Sequence, residues 1–128
     1  MKILITGGAG YIGSELVNFF IDEHQVTVID NLMYDRGSLL RYAGHPNFKF
    51  VRGDVRDLSL FSNLVSNADV VIPLAALVGF PLCDRAPRDA VEINLDVNRW
   101  LAENKSPNQL VIYPCTNSGY GTSADGSV

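Results

Sequence analysis

The chain has 128 residues, 47% of them apolar, which is one domain's length with enough hydrophobic material for a core. Its formal charge is −4 with no accumulated basic patch, so nucleic acid is excluded as an expected partner. The longest apolar run, residues 70–82, is broken by Pro73, Gly79 and Pro81 and is too short to span a bilayer.

Met1-Lys2 leads straight into a strand-like stretch rather than a signal peptide, so a cytoplasmic protein is expected. Residues 2–6 (KILIT) read as a buried strand ended by Gly7-Gly8, and residues 12–23 as a helix with Ile12, Leu16, Val17 and Phe20 on one side. A second strand follows at 25–30 (QVTVID), a short helix within 37–43, and a third strand at 48–52 (FKFVR). Asp57 is placed to cap a helix over 58–67 that carries Leu58, Phe61, Leu64 and Val65. The fourth strand is 69–74 (DVVIPL), and a Pro- and Gly-containing loop is expected from Ala75 to about Ala86. Pro87 suits the first turn of a long helix running to about Asn104, and 109–113 (QLVIY) reads as a fifth strand. Cys83 and Cys115, with His24 and His45, share no ligand spacing, which predicts reduced thiols and no metal site.

Strands alternating with helices predict an α/β fold: a doubly wound parallel sheet of Rossmann type, in the order 3-2-1-4-5, with helices on both faces. The apolar DVVIPL run supports this, because parallel strands are buried on both sides. A ligand is then expected at the crevice between strands one and four.

Thr6-Gly7-Gly8-Ala9-Gly10-Tyr11-Ile12-Gly13 lies between strand one and helix one. In a dinucleotide loop Gly7 makes the tight turn, Gly10 lets the backbone approach a pyrophosphate, and Gly13 lets the helix pack closely. The helix N-terminus offers free N–H groups and a positive dipole end to the phosphates. Asp30 ends strand two about twenty residues later, where a carboxylate accepts from ribose hydroxyls and repels a 2′-phosphate, which favours NAD over NADP. The alternative for Asp30-Asn31 is a turn-forming pair. Asp54 sits at the same rim after strand three, as an acceptor for the adenine amino group or, alternatively, as a helix-start aspartate.

These residues resemble the extended short-chain dehydrogenase/reductase family of NAD-dependent sugar-nucleotide epimerases and dehydratases. The loop matches its Thr-Gly-x-x-Gly-x-x-Gly form, Asp30-Asn31 its Asp-Asn, and Gly53-Asp54-Val55 its Gly-Asp-Val/Ile. Leu74-Ala75-Ala76 matches a His-x-Ala-Ala stretch, with Pro73 where histidine is usual, and Asn94 matches an asparagine of the fourth helix. Thr116 to Gly121 (TNSGYG) matches the segment bearing the catalytic Ser/Thr.

The resemblance covers the whole chain, with a softer likeness to nucleotide-sugar 4-dehydrogenases such as those acting on GDP-heptose. It implies NAD as cofactor, bound by Gly7, Gly10, Tyr11, Ile12, Gly13, Asp30, Asn31, Asp54, Val55, Leu74, Ala75, Ala76 and Asn94. It also implies a nucleotide-sugar substrate and a Thr116 hydroxyl bonded to the reacting oxygen. A tyrosine would take the proton and a lysine four residues later would assist it.

No Tyr-x-x-x-Lys occurs in residues 1–128, so the chain reads as an NAD-binding domain, 1–128, cut before that helix and the substrate domain. Asn117 and Ser118 after Thr116 replace the Asp-Glu pair used for dehydration, leaving an epimerase or dehydrogenase, with a non-catalytic NAD-binding sensor as the alternative. Arg85 and Arg88 are candidates for a substrate phosphate or, alternatively, solvated surface charge.

The helix over 88–104 has two apolar faces at about 100° per residue: Val91, Leu95 and Ala102 on one, Ile93, Val97 and Trp100 nearly opposite. Only one can pack on the sheet. The family dimerises through this helix, so a homodimer contact is expected at Ile93, Val97 and Trp100. Asn94 and Asn98 lean toward the sheet, where at least one should bond to backbone.

Overall fold

A computed structural model of the chain describes residues 1–34 and 37–115. Five parallel strands, β1 (Lys2–Thr6), β2 (Gln25–Asp30), β3 (Phe48–Arg52), β4 (Val70–Pro73) and β5 (Leu110–Val111), form one sheet in the order β3-β2-β1-β4-β5. This is the expected doubly wound order. Reversal of strand order at β1 places a crevice beyond the strands' carboxyl ends, between β1 and β4.

Strand alternation sends β1's side chains to two separate cores. Ile3 and Ile5 join Val17 of α1 (Tyr11–Phe20) and Ile21 just past its end, together with Val26, Val28, Leu39 and Tyr42. Leu4 joins Phe61 and Val65 of α2 (Leu58–Ser66) and Ile93, Val97 and Leu101 on the other face. The Asp57 carboxylate caps α2 as expected, accepting from Leu60 N–H at 3.1 Å. Ile12 and Leu58, expected on the inner faces of their helices, are instead exposed in the first turns of α1 and α2. A short 3₁₀ turn at Leu40–Tyr42 fills the predicted helical position within 37–43.

Residues 75–86 depart from the expected loop. A short helix, α3 (Phe80–Arg85), forms there, with Pro81 in its first turn, where a missing N–H costs nothing, and Gly79 at φ +91° turning the chain into it.

The long helical segment begins at Pro87 as predicted. It comprises α4 (Pro87–Val91), a π-helical turn over Glu92–Asp96, and α5 (Val97–Asn104). Its orientation corrects the dimer expectation. Ile93 and Val97 are buried against the sheet with Leu101, and Trp100 packs against the Phe61 ring at 5.5 Å between centroids. Val91, Leu95 and Ala102, expected to cover the sheet, are exposed. Sheet-facing residues therefore recur at 93, 97 and 101, an ordinary helical spacing, and helical periodicity alone leaves the two apolar faces equivalent. Asn98 patches the widened turn by donating to Asn94 O at 3.0 Å and Ile93 O at 3.4 Å. No described helix is long and apolar enough to cross a membrane.

β5 is shorter than the QLVIY run. Gln109, read as a strand residue, is buried instead and bridges α2 to β5: its Nε2 donates to Val65 O and Ala68 O, and its Oε1 accepts from Ser106 N–H at 3.0 Å. These carbonyls belong to the end of α2, where intrahelical donors run out. Gln109→Leu removes this donor from Ala68 O and leaves Val65 O with the Ala68 N–H bond alone, and urea unfolding should show a loss of ~1–2 kcal/mol with an unchanged slope. A midpoint equal to the parent's would show that Gln109 contributes no net stabilisation there.

Candidate functional site

The crevice encloses about 560 Å³ and is lined by three loops that leave the carboxyl ends of β1, β2 and β4, joined by the loop after β3. Every residue expected to bind cofactor lines it except Asn94: Gly7, Gly10, Tyr11, Ile12 and Gly13 from the first loop, Asp30 and Asn31 from the second, Asp54 and Val55 from the third, and Leu74, Ala75 and Ala76 from the fourth. Thr116 lies outside the described residues.

The first loop is shaped by contacts that exclude side chains. Gly7 has φ +66°, and a Cβ there would stand 2.7 Å from Ala75 N and 2.8 Å from Ala75 Cα. A Cβ on Gly13 would stand 2.5 Å from Gly8 Cα and 2.7 Å from Gly7 O, so α1 starts hard against the turn. Gly10 is the N-cap of α1 and supplies no side-chain bond, and the N–H groups of the helix's first turn have no intrahelical acceptor. They open onto the crevice between exposed Tyr11 and Ile12. This is the arrangement of an anion site at a helix N-terminus.

Asp30 makes the turn-forming bond weighed for it and also ties two loops together. Its Oδ1 accepts from Leu32 N–H at 2.7 Å, the turn-forming bond, and its Oδ2 accepts from Ala9 N–H at 3.0 Å, tying the second loop to the glycine loop. A carboxylate has about four acceptor positions, so roughly one per oxygen remains for a pair of hydroxyls. Leu32 takes φ +60° to complete the turn, an uncommon conformation for a residue with a branched side chain. Asn31 closes a similar turn, its Oδ1 accepting from Met33 N–H at 2.9 Å.

At the third loop Asp54 is held by Arg56, whose Nε and Nη2 donate to its two oxygens at 3.0 and 2.8 Å. These bonds keep the Asp54 carboxyl below the usual carboxylate range despite its partial burial, with the Asn31 amide adding the smallest share. The same bonds raise Arg56 further above its ordinary value. Arg56 Nη1 also reaches Asp89 Oδ1 at 2.7 Å and Glu92 Oε2 at 3.1 Å. Glu92 is lowered first by its bond from Arg88 and then by Arg56.

The fourth loop is pinned at two points. Ala75 N–H donates to Thr6 Oγ1 at 2.9 Å. Asn94 sits behind the loop rather than in the lining: its Oδ1 accepts from Leu77 N–H at 2.9 Å and its Nδ2 donates to Leu77 O at 2.8 Å. Asn94 thus meets the expected backbone bond and shapes the wall from outside. Arg88, weighed as a phosphate ligand, is exposed and bridges to Glu92 Oε1 at 2.8 Å. Arg85 is exposed on α3. Among the described residues no group of His, Cys, Asp or Glu could hold a metal ion.

Sequence reasoning missed Thr6 and Arg56. A hydroxyl ending an otherwise apolar strand was the available signal for Thr6. The partners of Arg56 on the long helix are 33 and 36 residues away, beyond any local pattern.

Comparison with known proteins places this geometry. The dTDP-glucose 4,6-dehydratase of Streptomyces niveus is 32% identical over 99% of this chain and 41% of its own length. A solved structure of DesIV, a dTDP-glucose 4,6-dehydratase from Streptomyces venezuelae with NAD bound, superposes with a TM-score of 0.85 at 28% identity, over 100% of this chain and 43% of that one. UDP-N-acetylglucosamine 4-epimerase from Methanobrevibacter ruminantium M1 gives 0.84 at 29% identity, over 99% of this chain and 41% of that one. The chain therefore spans less than half the length of these relatives. The family model described as NAD dependent epimerase/dehydratase matches residues 3–127. The chain belongs to the NAD-dependent epimerase/dehydratase family, whose cofactor is NAD.

Proposed function

We propose that residues 1–128 are the NAD-binding domain of a sugar-nucleotide epimerase or dehydrogenase. The observation that carries this reading is the juxtaposition of the capless α1 N-terminus with the Asp30 carboxylate on one rim of the crevice. In this reading the N–H groups of the first turn of α1 hold the pyrophosphate, with Gly10 keeping the approach clear. Asp30 accepts from the adenosine ribose hydroxyls, with Asn31 beside it. Asp54 accepts from the adenine amino group, and Val55 packs beside the base. Leu74, Ala75 and Ala76 face the nicotinamide end, and Thr116 bonds the reacting sugar oxygen.

When bound, NAD supplies a hydride acceptor for a sugar carbon. The residues of this chain bind and orient it. Relatives of both kinds, dehydratases and epimerases, stand close in sequence or structure. Asn117 and Ser118 after Thr116 bring no carboxylate for removing water, which supports epimerization or oxidation over dehydration. Solved neighbours that carry a UDP-sugar or a related nucleotide ligand support a nucleotide-sugar substrate.

Calorimetric titration tests the cofactor assignment. The chain should bind NAD at least about tenfold more tightly than NADP, because a 2′-phosphate would set a second anion against the part-buried Asp30 carboxylate in place of a hydroxyl donor. Asp30→Asn should weaken NAD several-fold and narrow the gap by improving NADP. Tighter NADP binding by the parent would overturn the reading. For the reaction, the coding sequence past Val128 should specify Tyr-x-x-x-Lys within roughly thirty residues. A stop codon there would favour a cofactor-binding module without chemistry.

A further inference from the structure

Arg56 does not line the crevice, yet its guanidinium is committed in two directions. Toward the crevice, Nε donates to Asp54 Oδ1 at 3.0 Å and Nη2 donates to Asp54 Oδ2 at 2.8 Å, a planar fork meeting both oxygens. Its own backbone N–H gives Asp54 Oδ1 a second bond at 2.9 Å. Three of the carboxylate's roughly four acceptor positions are thereby filled, which fixes its plane and leaves its remaining capacity toward the crevice rim, where the Asn31 amide also approaches. Away from the crevice, Nη1 donates to Asp89 Oδ1 at 2.7 Å and Glu92 Oε2 at 3.1 Å. Asp89 lies on α4 and Glu92 opens the π turn, which also carries Asn94 and its paired bonds to Leu77.

One helix segment is therefore bonded to both walls: through Arg56 to the loop after β3, and through Asn94 to the loop after β4. A lysine in place of Arg56 would offer a single point of charge and would fix neither the plane of Asp54 nor the second link at once.

We propose that Arg56 is a positioning residue for the dinucleotide, setting the Asp54 carboxylate to accept from the adenine amino group and bracing it against the helix whose Asn94 holds the opposite wall. The inference rests on the reading of Asp54 given above. Arg56 lies outside the crevice lining, so its role lies in how well the site distinguishes an amino donor from its replacement.

The test is calorimetric titration of the chain with NAD and with nicotinamide hypoxanthine dinucleotide, in which a carbonyl acceptor replaces the adenine amino group. The parent should prefer NAD by about tenfold or more, the value of one bond to a charged acceptor. Arg56→Met should bring that ratio to within about threefold, since the freed carboxylate can rotate. Arg56→Lys should resemble Arg56→Met. The double variant Asp89→Asn with Glu92→Gln, which alters two surface carboxylates, should lower the ratio about two- to threefold through loss of the brace alone.

A parent that does not distinguish the two ligands overturns the Asp54 reading and the proposal with it. A parent that distinguishes them, with Arg56→Met keeping the full ratio, overturns the proposal and leaves Asp54 standing. Should Arg56→Met fail to fold, the double variant decides: a parental ratio there overturns the brace. A merely structural Arg56 would weaken both ligands equally and leave the ratio unmoved.

Discussion

The site depends on one close approach: the turn at Gly7 against the exit of β4 at Ala75. Strand order brings β1 beside β4, and the helices that follow them leave to opposite faces, so the two exit loops must meet over the sheet edge. They meet with no room for a Cβ on Gly7, and the contact is fastened by Ala75 N–H on Thr6 Oγ1. Displacing Ala75 would shift Leu77, whose backbone is paired with Asn94, and Asn94 is built into the π turn of the long helix. The crevice width, the wall formed by the loop after β4 and the seating of that helix are thus coupled to a single glycine turn.

The other walls use side-chain oxygens to organise backbone. Asp30 gathers N–H groups from two loops, Asp54 gathers one from its own, and Asn94 takes both groups of Leu77. Such bonds each contribute only about 1 kcal/mol net to folding. Their larger effect is pre-organisation: loops that would otherwise pay for ordering on binding are already ordered. Asp30 shows the principle most directly, because its two oxygens hold N–H groups of two different loops.

Sequence alone revealed what local chemistry determines. The glycine loop, Asp30, the Asp57 cap and the strand order follow from spacing and alternation within short windows, and all stand in the structure. The packing face of the long helix did not follow. Both of its faces are apolar, and periodicity does not say which of them meets the sheet, so the face reserved for a partner was the one buried there, at 93, 97 and 101. Gly79 and Pro81 were read as breakers, although a proline in a first turn and a glycine just before it also begin a helix, as they do in α3. Gln109 sits in an apolar strand pattern, yet its amide serves the end of α2, more than forty residues earlier.

The charged cluster around Arg56 was equally hidden, and its purpose is not strength. Its members are about a third to a half exposed, apart from the more exposed Arg88, and solvent screens ion pairs of that kind to little net value. Three carboxylates around two arginines would also be an uneconomical way to hold a helix that already buries Ile93, Val97 and Leu101. What the cluster supplies is direction. A forked guanidinium fixes the plane of a carboxylate in a way that apolar burial cannot, and it keeps Asp54 ionised at the crevice rim. Hydrophobic packing places the helix. The arginine then aligns to that helix the Asp54 carboxylate at the crevice rim, so the accuracy of the rigid core is carried out to a solvent-facing loop.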